Sequence, residues 1–214
     1  MADEKNSQEK IPRLKIQSLS DLIFGLALSL GSFVLVANPP SNASTLYGDL
    51  ATFGFSFLIL ISVWLAYTRL ITALTLAGHS TLNLNIVLLF FVSIEPFLLN
   101  VLVRPGVSGD FFATVSQAYA VDVGAMVTLL GLFAWALATT EDSSIANHAR
   151  SFYRREALSR WFGAGMFFVS AFPFFEAPQL LGEPLRLWMW GVALGIVWAP
   201  RVGRMNPRPE DRSA

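Results

Sequence analysis

The chain has 214 residues, of which 54% are hydrophobic and only 14% are charged. Soluble domains carry about 25% charged residues, so the composition excludes an ordinary soluble protein and indicates a membrane protein. The formal net charge is zero and there are no cysteines, which excludes a basic nucleic-acid surface, disulfides and thiolate metal sites.

The first apolar stretch runs without a charge from Leu22 to Gly48. About 20 apolar residues cross a bilayer as a helix, so we predict a retained membrane helix over Leu22–Ala37. Its entrance carries a cation, a hydroxyl and an acid, namely Lys15, Ser20 and Asp21. A plain anchor needs none of them, so they predict a buried polar cluster; an N-terminal helix cap is the alternative interpretation.

Five further apolar stretches predict membrane helices: Leu50–Thr68, Leu84–Val103 after a turn near Ala77–Asn83, Ala113–Thr140, Trp161–Phe175 and Leu187–Pro200. The last two are short and cross only if their ends snorkel or the bilayer thins. The expected fold is therefore all-α, a polytopic membrane protein with six transmembrane helices. Residues 1–17 are expected to form a cytoplasmic N-terminus, 18–203 the membrane domain and 204–214 a cytoplasmic tail.

The basic residues give the predicted orientation. With the N-terminus inside, all 15 lysines and arginines except Arg104 and Arg186 fall on the cytoplasmic side. Such a bias is the positive-inside pattern of a multi-pass protein. We therefore expect a cell-membrane protein with both termini in the cytoplasm.

Several polar residues interrupt the predicted spans. Asn85 can hydrogen-bond across helices, and Asp122 should face protein or water unless it sits at a helix end. Glu95 either attracts cations near the outer mouth of the protein or is a solvated (wet) residue at the membrane interface. Trp64 and Tyr67 fit an aromatic belt at the membrane interface.

Motifs of enzyme chemistry are missing from the sequence. It has no phosphate loop, no zinc-ligand pair at helical spacing and no hydrolase serine elbow. We therefore expect no enzyme, no catalytic residues, no metal site and no cofactor.

Three motifs follow one another along the first three predicted spans. The first stands as Lys15-Ile16-Gln17-Ser18-Leu19-Ser20-Asp21, the second is Trp64 late in the second span, and the third runs from Asn85 through Ser93 to Pro96-Phe97. This set resembles the prokaryotic members of the transmembrane protein 175 family of endolysosomal potassium channels. Lys15 and Leu19 depart from the family's arginine and phenylalanine. The family's histidine late in the second helix is replaced around Tyr67–Arg69 or displaced to His79.

The resemblance implies a homotetramer whose first helices line a central pore for potassium ions. It also implies an apolar constriction instead of a filter of backbone carbonyls. The positions of the family's narrow point and following hydroxyl are occupied here by Leu26 and Ser29, and one further turn adds Phe33.

Residues 22, 26, 29 and 33 share one helical stripe, which we call the pore stripe. If the helix is rotated by one residue, the alternative stripe is Ile23, Ala27 and Leu30. Ordinary helix packing explains either stripe as well. In this arrangement Gly25 and Gly31 would face neighbouring helices and allow close approach.

Two other classes of function stay open. A small secondary transporter or proton-coupled carrier would use a membrane-depth acid such as Asp122. A structural membrane protein would transport nothing. A carrier should depend on Asp122, whereas a channel should respond most to Leu26 and Ser29.

Overall fold

A computed structural model describes the backbone of residues 2–37, 39–74, 79–104, 109–140, 147–175, 178–180 and 183–202. This part of the chain contains six helices: α1 (Ala2–Ala37), α2 (Ala43–Ala73), α3 (His79–Leu102), α4 (Gly109–Thr139), α5 (Asn147–Ser170) and α6 (Leu185–Val202). A short 3-10 turn (Pro173–Phe175) and an antiparallel ladder of β1 (Gln179–Leu180) with β2 (Glu183–Pro184) connect α5 to α6. The predicted all-α fold is confirmed.

Membrane-spanning character belongs to four of these helices. Their long apolar segments are Ile16–Phe33, Ala43–Ala73, Thr81–Leu102 and Gly109–Thr139. In α6 the apolar segment Leu185–Ile196 is shorter, and α5 begins with a polar, arginine-rich half. The protein is therefore membrane-like, and the fifth and sixth spans stay predictions.

All six helices begin earlier than the sequence predicts, and for two of them the earlier start overturns a prediction. The first helix starts at Ala2, so Asp21 lies in the middle of α1 and its interpretation as a helix cap is wrong. The third starts at His79, so the predicted turn over Ala77–Asn83 is wrong from His79 onward. The polar beginnings of α1 and α3 have no apolar periodicity, so hydropathy does not predict that they are helical. Residues 75–78 and the tail 204–214 lie outside the described part.

The second helix has a clear start signal that hydropathy does not reveal. Asn42 Oδ1 accepts a hydrogen bond from the Thr45 amide at 2.9 Å, and the Asn42 amide donates to Thr45 Oγ1 at 3.2 Å. This reciprocal capping box satisfies free amides at a helix start. The helix therefore begins at Ala43 instead of Leu50.

The centre of the molecule is α4, which packs against α2, α3 and α5. Its apolar segment is 67% buried, against 17% for α1. Gly124 and Gly131 remove side chains from the face toward α5, where the rings of Phe168 and Trp161 lie directly on the α4 backbone. Small residues thus allow close approach of two helices, as in other membrane bundles.

One end of the bundle is joined by Arg186 at the start of α6. Its buried guanidinium donates to the carbonyls of Ser170 at 2.7 Å, Ala113 at 3.3 Å and Phe172 at 3.3 Å, and also to Ser116 Oγ. The start of α4, the end of α5 and the start of α6 therefore meet at this end.

The opposite end carries an ion-pair group. Glu156 Oε1 of α5 lies 2.6 Å from both Arg69 Nη2 of α2 and Arg160 Nη2 of α5. The end of α2 therefore meets the first half of α5. This arrangement is consistent with helices that alternate in direction across the bundle.

Candidate functional site

The first helix has one packed face and one free face. Ser20, Phe24 and Ala27 are buried against α2 and α3. Gly31 continues this face, because a Cβ there would lie 3.6 Å from the ring of Phe53 on α2. The packed face thus repeats every three or four residues, as expected for a helix with one buried side.

The pore stripe lies on the opposite face. At roughly 100° per residue, residues 22, 26, 29 and 33 fall within an arc of about 60°, almost directly across the helix from the packed face. Leu22, Leu26 and Phe33 are 59%, 55% and 66% exposed, and Ser29 is also exposed. Three large apolar side chains and one hydroxyl therefore leave the bundle in a single line.

The alternative stripe is divided between the two faces. Ala27 is buried, Ile23 is half-buried and Leu30 is exposed. Because Ala27 contacts the protein's own helices, this stripe does not form a continuous free surface.

Small residues flank the pore stripe on one side. Ser18, Gly25 and Ser32 are exposed, and a Cβ on Gly25 would meet nothing within 4 Å. The expectation that Gly25 faces a neighbouring helix is therefore not met within this chain, whereas Gly31 does face one. The Ser29 hydroxyl donates to the Gly25 carbonyl at 2.8 Å.

The structure brings Ser20 of α1 and Asn85 of α3 together. Ser20 Oγ donates to the Ile16 carbonyl at 2.9 Å, so its single hydrogen is occupied. The Tyr67 hydroxyl at 2.8 Å and Asn85 Nδ2 at 3.3 Å therefore donate to the two lone pairs of Ser20 Oγ. All the hydrogen-bonding capacity of one buried hydroxyl is used to join α1, α2 and α3.

Asp21 also connects α1 to α2, outside the buried contacts of Ser20. Trp64 Nε1 of α2 donates to Asp21 Oδ1 at 2.9 Å. Ser20, Asp21, Trp64, Tyr67 and Asn85 together form what we call the polar cluster. The side chain of Lys15 lies outside the described residues.

Tyr67 is the member that sequence analysis missed. The sequence predicts an interfacial belt residue there, yet Tyr67 is completely buried and packs its ring against Phe24 and Phe133. The signal available in the sequence was its place in Tyr67–Arg69, one of the two positions predicted for the replaced histidine of the resembling family.

A second polar group lies deeper in the bundle. Glu95 is completely buried and accepts hydrogen bonds from Ser56 Oγ at 2.8 Å and the Tyr119 hydroxyl at 2.9 Å. The interpretation of Glu95 as a wet interfacial residue is therefore wrong. Asp122 is 3% exposed and faces protein, as predicted, and neither of its carboxylate oxygens has a hydrogen-bond partner in the described part of the chain.

Among the described side chains, no three His, Cys, Asp or Glu residues come together in a way that could hold a metal ion. The polar cluster offers hydroxyl, amide, indole and single-carboxylate groups, which hold helices together and do not form a nucleophile–base pair.

No family model matches this chain, and no curated protein or solved structure matches it.

Proposed function

We propose that the protein is a potassium-permeable cation channel of the cell membrane, in which four copies surround a central pore lined by α1. The observation that carries the proposal is the pore stripe, which is exposed and lies opposite the face that packs against the described part of the bundle. The resemblance of the first three spans to potassium channels supports the same assignment.

An exposed apolar stripe alone would also suit a helix that faces lipid. The flanking residues Ser18, Gly25 and Ser32 favour a neighbouring helix instead, because small residues let helix backbones approach closely in membranes. Small residues beside the pore stripe allow adjacent copies of α1 to pack closely. The large side chains of the stripe, including Leu26, can then point toward the central axis.

The proposed constriction is a ring of Leu26 side chains. A narrow apolar throat expels water and blocks ions until it widens. One turn further, Ser29 has given its hydrogen to the Gly25 carbonyl, so its oxygen lone pairs are free to contact a dehydrating cation. Phe33 would extend the apolar lining by another turn.

The polar cluster gives this helix a fixed rotation. Ser20 and Asp21 bind two different neighbouring side chains, and a rotation of α1 would break both contacts. The cluster thus determines which residues of α1 face the proposed axis.

The test is ion flux through purified protein in liposomes under a potassium gradient, with sodium and proton gradients as controls. Leu26→Ala should increase leak and reduce selectivity. The matched control is Leu65→Ala, since Leu65 is an equally exposed leucine on α2. Unchanged flux in Leu26→Ala would contradict the constriction, and no flux from a folded oligomer would contradict the channel.

A small proton-coupled carrier is the second candidate, favoured by the buried and unpartnered Asp122. Asp122→Asn should abolish flux in a carrier but leave a channel through α1 conducting. The two candidates thus make opposite predictions for Asp122→Asn and Leu26→Ala in one assay.

A further inference from the structure

Asp122 is in an unusual position for a carboxyl group. It is 3% exposed, and neither carboxylate oxygen has a hydrogen-bond partner among the residues that the structure describes. Burying an ionised carboxylate without partners is very costly, because the protein interior replaces little of its hydration. Such a group has to acquire a partner or exist in its neutral form.

A second carboxyl group makes the ionised form of Asp122 still less favourable. Tyr119 lies one turn before Asp122 on the same side of α4, and its hydroxyl donates to Glu95 Oε1 at 2.9 Å, so the two carboxyl groups occupy the same part of the core. Glu95 is completely buried and receives two hydroxyl hydrogen bonds, from Ser56 and Tyr119. Burial disfavours charge on both groups, but hydrogen bonds to a carboxylate favour its charged form, so Glu95 is the better placed of the two to carry a charge.

This carboxylate pair, Glu95 and Asp122, lies at membrane depth. The rise from Tyr67 to Ser56 along α2, and from Asn85 to Glu95 along α3, is about 15 Å. The polar cluster lies near one end of the bundle, and the hydrocarbon core of a bilayer is about 30 Å thick. The pair is therefore near the middle of the membrane, where ionisable groups are expensive and rare.

The charged groups for which the structure shows bonds on the surrounding helices are engaged elsewhere. Arg186 of α6 reaches α4 at Ser116, about 9 Å along the helix from Asp122. The ion pairs of Glu156 on α5 with Arg69 and Arg160 lie about 20 Å along α2 from Ser56. On α1, Asp21 binds Trp64 within the polar cluster, near one end of the bundle and away from the pair.

A metal ion is poorly suited to this position. Calcium requires six to eight oxygen ligands, whereas the pair offers two carboxylates and two hydroxyls already used as donors. A proton needs one carboxylate oxygen and no cavity.

We propose that Asp122 is a proton-binding site in the core of each subunit, neutral at neutral pH, with Glu95 as its ionised neighbour. Binding converts the Asp122 carboxylate and one proton into a carboxylic acid, and the pair then carries a single negative charge. The site is separate from the pore stripe and does not depend on how α1 is used.

The experiment is infrared spectroscopy of the full-length oligomer in lipid at neutral pH, in water and in deuterated water. A protonated carboxyl group has a carbonyl band that is distinct from carboxylate bands and shifts on deuteration. We expect such a band in the wild type, its loss in Asp122→Asn, and its persistence in Glu95→Gln. Asp110→Asn is the matched control, because Asp110 is an exposed acid on the same helix.

Isotope labelling tests the assignment even if a variant does not fold. Labelling the side-chain carboxyl carbon of aspartate in the wild type should shift the band, and labelling glutamate should not. A band that follows the glutamate label would overturn the assignment to Asp122. Absence of a protonated band at neutral pH, or a band present only after sodium, potassium and calcium are withdrawn, would overturn the proton site.

Discussion

The hydroxyl oxygens of Ser20 and Tyr67 lie 2.8 Å apart although 47 positions separate the two residues in the chain. This contact, with Asn85, joins the proposed pore helix to the rest of the bundle. Ser20→Ala should destabilise the protein by about 1–3 kcal/mol, because the buried Tyr67 hydroxyl and Asn85 amide lose their acceptor. Thermal unfolding of the purified protein in detergent measures the effect.

The control for this change is Ser18→Ala, which removes an exposed hydroxyl from the same turn of α1. It should leave the unfolding midpoint unchanged. Equal midpoints for both variants would mean that the polar cluster contributes nothing to the association of α1 with α2 and α3.

The contact of α4 with α5 gives a prediction about packing. A Cβ on Gly131 would clash with the indole of Trp161, whereas a Cβ on Gly165 would meet nothing within 4 Å. Gly131→Ala should therefore cost about 1–3 kcal/mol through overpacking. Gly165→Ala is the matched control on α5, and equal unfolding midpoints for the two variants would contradict the close helix contact.

The ion-pair group predicts unequal effects for two of its members. Arg69 is 45% exposed, so Arg69→Ala should cost only about 0–1 kcal/mol. Glu156→Ala should cost about 3–5 kcal/mol, because it leaves Arg160, which is only 4% exposed, without its carboxylate. Chemical unfolding in mixed detergent measures both, and a larger loss from Arg69→Ala would reverse this account of the group.

The absence of cysteines makes the free face of α1 directly testable. Two cysteines form a disulfide when their Cα atoms are within about 7 Å of each other. Equivalent residues of adjacent copies that line a narrow pore come this close. Leu26→Cys should therefore cross-link copies of the chain under mild oxidation, as seen on a non-reducing gel. Ala27→Cys is the control, because Ala27 is buried within its own subunit. Cross-linking through Ala27→Cys alone would place the opposite face of α1 at the axis.

Local patterns in the sequence were sufficient for the all-α fold, and they marked Ser20 and Asn85 as polar residues of apolar helices without indicating that the two are partners. Apolar runs and polar interruptions carry those signals, because a membrane helix needs a long apolar segment and polar residues within such a segment are rare. The surroundings of Glu95 could not be predicted in this way. Its partners Ser56 and Tyr119 are 39 and 24 positions away, and a carboxylate near a helix end looks the same whether it meets water or two hydroxyls.

Tyr67 illustrates the same limit in a different way. An aromatic residue late in a span fits an interfacial belt by composition, and only the neighbouring helices show that its hydroxyl meets Ser20 in the core. Which stripe of α1 forms a continuous free surface also depends on tertiary packing, because helical periodicity is identical for both. Ala27 of the alternative stripe is buried.

Arg186 has a consequence for how the chain is made. Its guanidinium bonds to residues that precede it by 14 to 73 positions, so those partners are synthesised before α6 leaves the ribosome. Burying a guanidinium is costly unless its N–H groups find acceptors, and the oxygens of α4 and α5 offset that cost only when they are already in place. The docking of the last helix therefore depends on α4 and α5 having been positioned first.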